Sequence, residues 1–170
     1  MGRFKAAVES QAAQLAGAPA GTTFNGFFAG LMAGASANYK LRRCIIGVRS
    51  GASVPTSQQM TVAVHRQTVR VAGTGFSTVT GQNMDPRGAA TAITGVDITT
   101  ATAAGTTGPT ITANPMERLT FNTQSAFDVP YELLEEWTCD QGTANGIAFV
   151  NTGNALPASH LFTLSLEWEE

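Results

Sequence analysis

The closing stretch "SHLFTLSLEWEE" (159–170) alternates apolar and polar side chains without a break. A strand turns successive side chains to opposite faces, so His160, Phe162, Leu164, Leu166 and Trp168 share one face and Leu161, Thr163, Ser165 and Glu167 the other. The pattern reads as a half-buried antiparallel strand. Further strand signals lie upstream. "LRRCIIGV" (41–48) is a β-branched run that stops at the turn "RSGASVP". In "MTVAVHRQTVRV" (60–71), Met60, Val62 and Val64 share a face, but Val69 and Val71 continue from odd positions, which predicts a bulge or break near His65–Thr68. "GTGFSTVTGQNMDPRG" (73–88) is loop-like at both ends, with "DPRG" as a turn. "AATAITGVDITT" (89–100) reads as a weak strand, "GTTGPT" as a turn and "RLTFN" (118–122) as a short strand.

Asn145-Gly146 is a strong hairpin signal and predicts pairing of 133–139 with 147–151. That pairing takes Pro130–Trp137 as extended; a helical turn is the alternative, because Leu134 and Trp137 stand three apart. Short strands separated by Gly and Pro turns, without interleaved amphipathic helices, make the chain mainly β. Residues 41–170 are expected to form an antiparallel β-sandwich or jelly-roll-like domain.

Residues 1–40 read as a separate N-terminal arm, Ala/Gly-rich and partly helical. "RFKAAVESQAAQL" holds good helix formers, which predicts a short helix over 3–16, and "GAPAGTT" is a flexible joint. Glu9, Gln11 and Gln14 interrupt the apolar centre that a signal peptide needs. "FNGFFAGLMAGASANY" (24–39) carries Gly26, Gly30 and Gly34 at a spacing that a helix would align on one face. The run is too short to span a membrane. Three readings stand: a docking segment packing on a neighbouring subunit, a cap on the chain's own core, or a loop containing glycines. The first makes Phe24, Gly26, Phe27, Phe28, Gly30, Leu31 and Gly34 the candidate assembly interface, with Met32 beside them.

Charged residues make up 13% of the 170-residue chain, about half the usual share, while 43% are hydrophobic, so the chain should fold. So sparse a charge resists aggregation poorly unless partners cover the surface. Ten basic against twelve acidic residues leave no basic footprint for nucleic acid, and Lys40, Arg42 and Arg43 read as the charged face of a strand. Cys44 and Cys139 stand far apart and read as buried small hydrophobes, with a disulfide between them left open. "GVDITTATAAGTTGPTIT" (95–112) offers hydroxyls, methyls and a lone Asp97 with no partner nearby in sequence.

The remaining candidates for chemistry are weak. Glu132, Glu135 and Glu136 in "YELLEEW" invite comparison with paired catalytic carboxylates, but in a strand the last two point to opposite faces. His65 and His160 lack the setting of a triad, and the two cysteines and two histidines show no ligand spacing. The expectation is no catalytic residue, no metal site and no cofactor.

The stretches "SGASVPTSQQMTVAVHRQTVRVAGTG", "FNTQSAFDVPYELLEEW", "GTANGIAFVN" and "LSLEWEE" give the chain a style that resembles small virion proteins of tailed bacteriophages, especially those that decorate or cement the head. No diagnostic motif accompanies the likeness, so no site residue is carried over from it. The resemblance implies a β-sandwich-like protein present in several copies on a capsid surface, made in the bacterial cytoplasm, often a symmetric homo-oligomer. Its partners would be the major capsid protein or other virion proteins, not nucleic acid or membrane. Placement in a tail or neck is an alternative. Another is a carbohydrate-binding β-sandwich using Tyr131, Trp137 and Trp168.

Overall fold

A computed structural model describes residues 2–10, 26–52, 54–71, 75–100 and 109–170. Strands come in chain order as β1 (Arg3–Glu9), β2 (Phe27–Met32), β3 (Tyr39–Ser50), β4 (Gln59–Val69), β5 (Phe76–Val79), β6 (Gln82–Asn83) and β7 (Val96–Thr99). They continue as β8 (Thr110–Ile111), β9 (Glu117–Asn122), β10 (Phe127–Pro130), β11 (Trp137–Cys139), β12 (Gly146–Asn151) and β13 (His160–Glu169). The described residues contain no helix.

Two antiparallel sheets result. The first runs β10-β3-β13-β1-β6, with β11 continuing the β10 edge against β3. The second runs β5-β7-β2-β12-β4-β8, with β9 also against β4. The alternation in β13 seats His160, Phe162, Leu164, Leu166 and Trp168 inward as the sequence predicts, all buried. From the opposite sheet, Phe28 stacks on Phe162 with centroids 4.5 Å apart and rings 18° from parallel. That pair joins the sheets through one core, to which Met60, Val62 and Val64 of β4 and Ile147 and Phe149 of β12 also contribute.

The expected break in β4 is found at its far end. Pairing with β12 is regular through Gln67, whereas pairing with β8 shifts register between Gln67 and Val69. Val69 turns out to solvent and Val71 joins a small second cluster with Phe27, Ala148 and Val150 on the outer side of the second sheet. "DPRG" closes as a turn, Gly88 N donating to Asp85 O at 2.9 Å.

Three local expectations are corrected. Arg3–Glu9, read as helix, is β1: Phe4, Ala6 and Val8 point inward, and the segment pairs with β13 from Arg3↔Glu169 to Glu9↔Thr163. Helix propensity differences of a few tenths of a kcal/mol per residue yield to a ladder of hydrogen bonds and a filled core. Residues 11–16 of that expected helix, and the joint at 17–23, lie outside the described residues.

The hairpin at Asn145-Gly146 does not form, because its flanks belong to different sheets: β11 pairs with β3, and β12 with β2 and β4. Pro130–Trp137 is not extended throughout either. Between β10 and β11 the chain turns at Leu133–Glu135, with Glu135 N donating to Glu132 O at 3.0 Å.

Candidate functional site

The expected docking segment is a strand inside the fold. β2 lies between β7 and β12, and Phe27, Phe28 and Leu31 are fully buried, Met32 nearly so. Phe28 and Leu31 fill the central core and Phe27 the second cluster, where its ring meets Phe76 edge-on at 5.9 Å. These side chains occupy the chain's own core, the second of the three readings. Phe24 lies outside the described residues. The glycines serve strand packing and turns instead of a helix face. Gly26 takes a positive φ of 94° and its carbonyl accepts from Asn151 N; Gly30 leaves room for the Gln67 amide; Gly34 O accepts from Gly142 N at 2.8 Å.

Asp97, alone in its sequence neighbourhood, is buried and accepts three hydrogen bonds from two residues. Arg70 Nε and Nη2 donate to its two carboxylate oxygens at 2.7 and 2.6 Å, and Thr78 Oγ1 donates to Oδ1 at 2.7 Å. The register explains the meeting: Thr78 on β5 stands directly opposite Asp97 on β7. A local sequence reading could not find Arg70, which arrives from beyond the end of β4.

Both histidines are buried. At His160, Nε2 accepts from Thr56 N at 3.2 Å and Nδ1 lies 3.1 Å from Ala158 O, an arrangement that suits the neutral ring with its proton on Nδ1. His65 Nδ1 lies 2.8 Å from Thr112 O, while its Nε2 and the Oε1 of Gln67, two residues on in the same strand, are buried without a hydrogen-bond partner among the described residues.

Burial lowers the His65 pKa below the ordinary histidine value; the Thr112 carbonyl pulls the other way and the Arg118 charge adds to the lowering. A lowered histidine pKa means the unfolded chain takes up the proton first as pH falls. Stability should therefore decline from about pH 6.5 downward, by at most about 1.4 kcal/mol per pH unit. His65→Asn should flatten that decline in urea titrations at pH 7, 6 and 5; an unchanged slope would contradict it.

Cys44 and Cys139 are buried free thiols, and burial raises the pKa of each. Among the described residues no three His, Cys, Asp or Glu side chains gather to hold a metal.

The acidic stretch is divided between structure and solvent. β3 carries an extra residue at Arg42, since Arg43 pairs with Glu167 and Leu41 with Trp168. Arg42 then reaches both Glu169, through Nε at 2.8 Å, and the carboxylate of Glu136. Glu136 in turn accepts from Leu134 N at 2.8 Å, so the arginine fixes the turn between β10 and β11. Glu132 and Glu135 stay in water, and so do Leu133 at 72% and Leu134 at 90% exposure. Arg43 pairs with Asp128 and Arg49 with Glu9, both at the surface, where solvent screens the charges and such pairs add little. Trp168 is fully buried, and Tyr131 and Trp137 pack edge-on at 6.3 Å, both half-buried.

No family model matches the chain, and no curated protein or solved structure is significantly similar to it.

Proposed function

We propose that the chain is a non-enzymatic structural protein of a phage virion, one that decorates or cements the capsid shell through contacts with the major capsid protein and with its own copies. The observation that carries this reading is where the apolar side chains are left. Leu133, Leu134 and Val54, at 72%, 90% and 84% exposure, stand on turns and loops in water. Apolar surface at such tips gains free energy only when another surface covers it. The groups suited to chemistry are meanwhile engaged in holding the fold: Asp97 by Arg70, Glu136 and Glu169 by Arg42, His160 by Thr56.

The winding supports the same reading. β1, β13, β3 and β10 lie side by side in one sheet, and β2, β12, β4 and β9 in the other. That is the strand order of a jelly roll, an architecture common in viral capsid and lectin domains. A fold hosts many roles, so the weight rests on the exposed turns. On this reading the chain is made in the bacterial cytoplasm and ends on the capsid surface, bound to protein and not to nucleic acid or membrane.

The test is reconstitution. Purified chain is added to particles assembled without it, and binding and heat-induced rupture are followed. Saturable binding to heads with a raised rupture temperature is the expected result. Binding to tails or necks would move the protein there, and absence of binding to any particle would overturn the reading.

A further inference from the structure

The turn between β10 and β11 carries two costs that the fold itself does not need. Glu135 N donates to Glu132 O at 3.0 Å, so Leu133 and Leu134 are the two central residues of a four-residue turn. Leu134 has a φ of 77°, the value that the third position of a type II turn demands and that glycine or asparagine supplies cheaply. A leucine there is strained. The second cost is exposure: Leu134 is 90% and Leu133 72% exposed, so neither side chain repays the strain by packing in the core.

The strained turn is nevertheless held firmly. Glu136, whose side chain is only 3% exposed, accepts from Leu134 N at 2.8 Å and pairs with Arg42, which is anchored on Glu169 as well. On either side, Pro130 and Trp137 are fixed by pairing with Arg43 and Leu41 of β3. Strain that the surroundings keep in place points to a task outside the fold. A pair of apolar side chains carried on so fixed a backbone also loses little freedom when it is covered.

The charges beside the leucines define what can cover them. Glu132 and Glu135 flank them in solvent, so the matching seat is an apolar pocket with Lys or Arg on its rim, where a carboxylate would repel. A second copy of the chain offers no such seat among its described residues. Its exposed arginines already lie beside carboxylates: Arg3 by Glu167, Arg43 by Asp128, Arg49 by Glu9 and Arg87 by Asp85. The hollow next to its half-exposed Met84 carries Asp85 and Glu170. The seat therefore belongs to a different protein.

We propose that the Leu133–Leu134 turn is the chain's anchor in an apolar, basic-rimmed pocket of that different protein. The proposal rests on the reading of the chain as a virion component for the partner's identity, the major capsid protein. Strain at Leu134 then has a use: it aims the anchor outward at the edge of the first sheet, and the fold tolerates it for the sake of the contact.

The test titrates the labelled full chain onto heads assembled without it, at low and at high salt, beside thermal melts of every variant. Leu134→Gly is expected to raise the melting temperature by about 2–4 °C, because glycine relaxes the turn. The same change is expected to weaken binding about thirtyfold, as the loss of a central apolar anchor does. Leu133→Ser should weaken binding to a similar degree with the melting temperature unchanged. Glu132→Gln with Glu135→Gln should flatten the salt dependence of binding, since rim charges act through it.

A Leu134→Gly chain that binds heads like the wild type would overturn the anchor and leave the assembly reading standing. So would a Leu134→Gly chain no more stable than the wild type, because the turn would then hold no strain to explain. Salt dependence unchanged in the glutamine variant would overturn the basic rim, and with it the pocket proposed. Binding of the wild type to tails or necks, lost in both leucine variants, would uphold the anchor and count against the capsid reading. Absence of binding to any particle would overturn both.

Discussion

Trp168→Ala is expected to lower the stability of the chain by about 3–5 kcal/mol, the usual cost of emptying a large aromatic site in a core. Domains of this size are held by roughly 5–15 kcal/mol, so much of the native margin would go. The indole is fully buried, lies nearly parallel to Phe4 at a centroid distance of 6.0 Å, and donates from Nε1 to Glu170 at 2.9 Å. It also sits directly under the backbone at Gly81, where a Cβ would overlap the ring. Three elements therefore meet on one side chain: β13, its neighbour β1, and the loop leading to β6.

A rigid ring and two strand backbones cannot collapse into the space, which places the loss toward the upper end of that range. Trp168→Phe should lose about 1–2 kcal/mol, since it keeps most of the volume and gives up the hydrogen bond. Urea denaturation followed by far-ultraviolet circular dichroism measures both; an alanine variant within 1 kcal/mol of wild type would contradict the packing described.

Arg70→Met should be the next most damaging change, at about 3 kcal/mol. It strands Asp97 with a buried negative charge and Thr78 as its one remaining donor among the described residues. Removing one partner of a buried ion pair commonly costs about 3–5 kcal/mol, and the guanidinium side of this pair is 37% exposed, so water can repay part of the loss. The diagnostic measurement is a double-mutant cycle. Asp97→Asn in the Arg70→Met background should recover about half of the loss, because the stranded charge is gone. Additive losses would mean that the two side chains do not act as a pair.

The strands at the C-terminal end and in β4 were legible because their pattern repeats every second residue and one face is buried. The sequence pattern of β13 names its inward residues correctly, and the change of phase after Val64 points to the register shift at Gln67–Val69. What misled was information that only a distant partner supplies. Arg3–Glu9 alternates too, through Phe4, Ala6 and Val8, but alanines at 6 and 7 give equally good helix formers; pairing with a strand some 160 positions away decides the matter.

Asn145-Gly146 looks like a hairpin turn because the local signal does not say to which sheet each flank is bound. Asp97 meets Thr78 through the β5/β7 register, and Arg70, 27 positions away, reaches it from beyond the end of β4. The exposed leucines at 133 and 134 were visible as letters. Their exposure and the positive φ of Leu134 depend on Arg42 reaching Glu136, 94 positions away, which no periodicity encodes.

The central claim, that the chain is a building component of a virion, is tested most directly by counting its copies in purified particles. Virions from the host culture would be banded to constant density, and peptides of this chain quantified by mass spectrometry against those of the major shell protein. The account expects a fixed stoichiometric ratio that persists through repeated banding and stays with the heads after tails are removed. A chain found free in the lysate and absent from banded particles would contradict it.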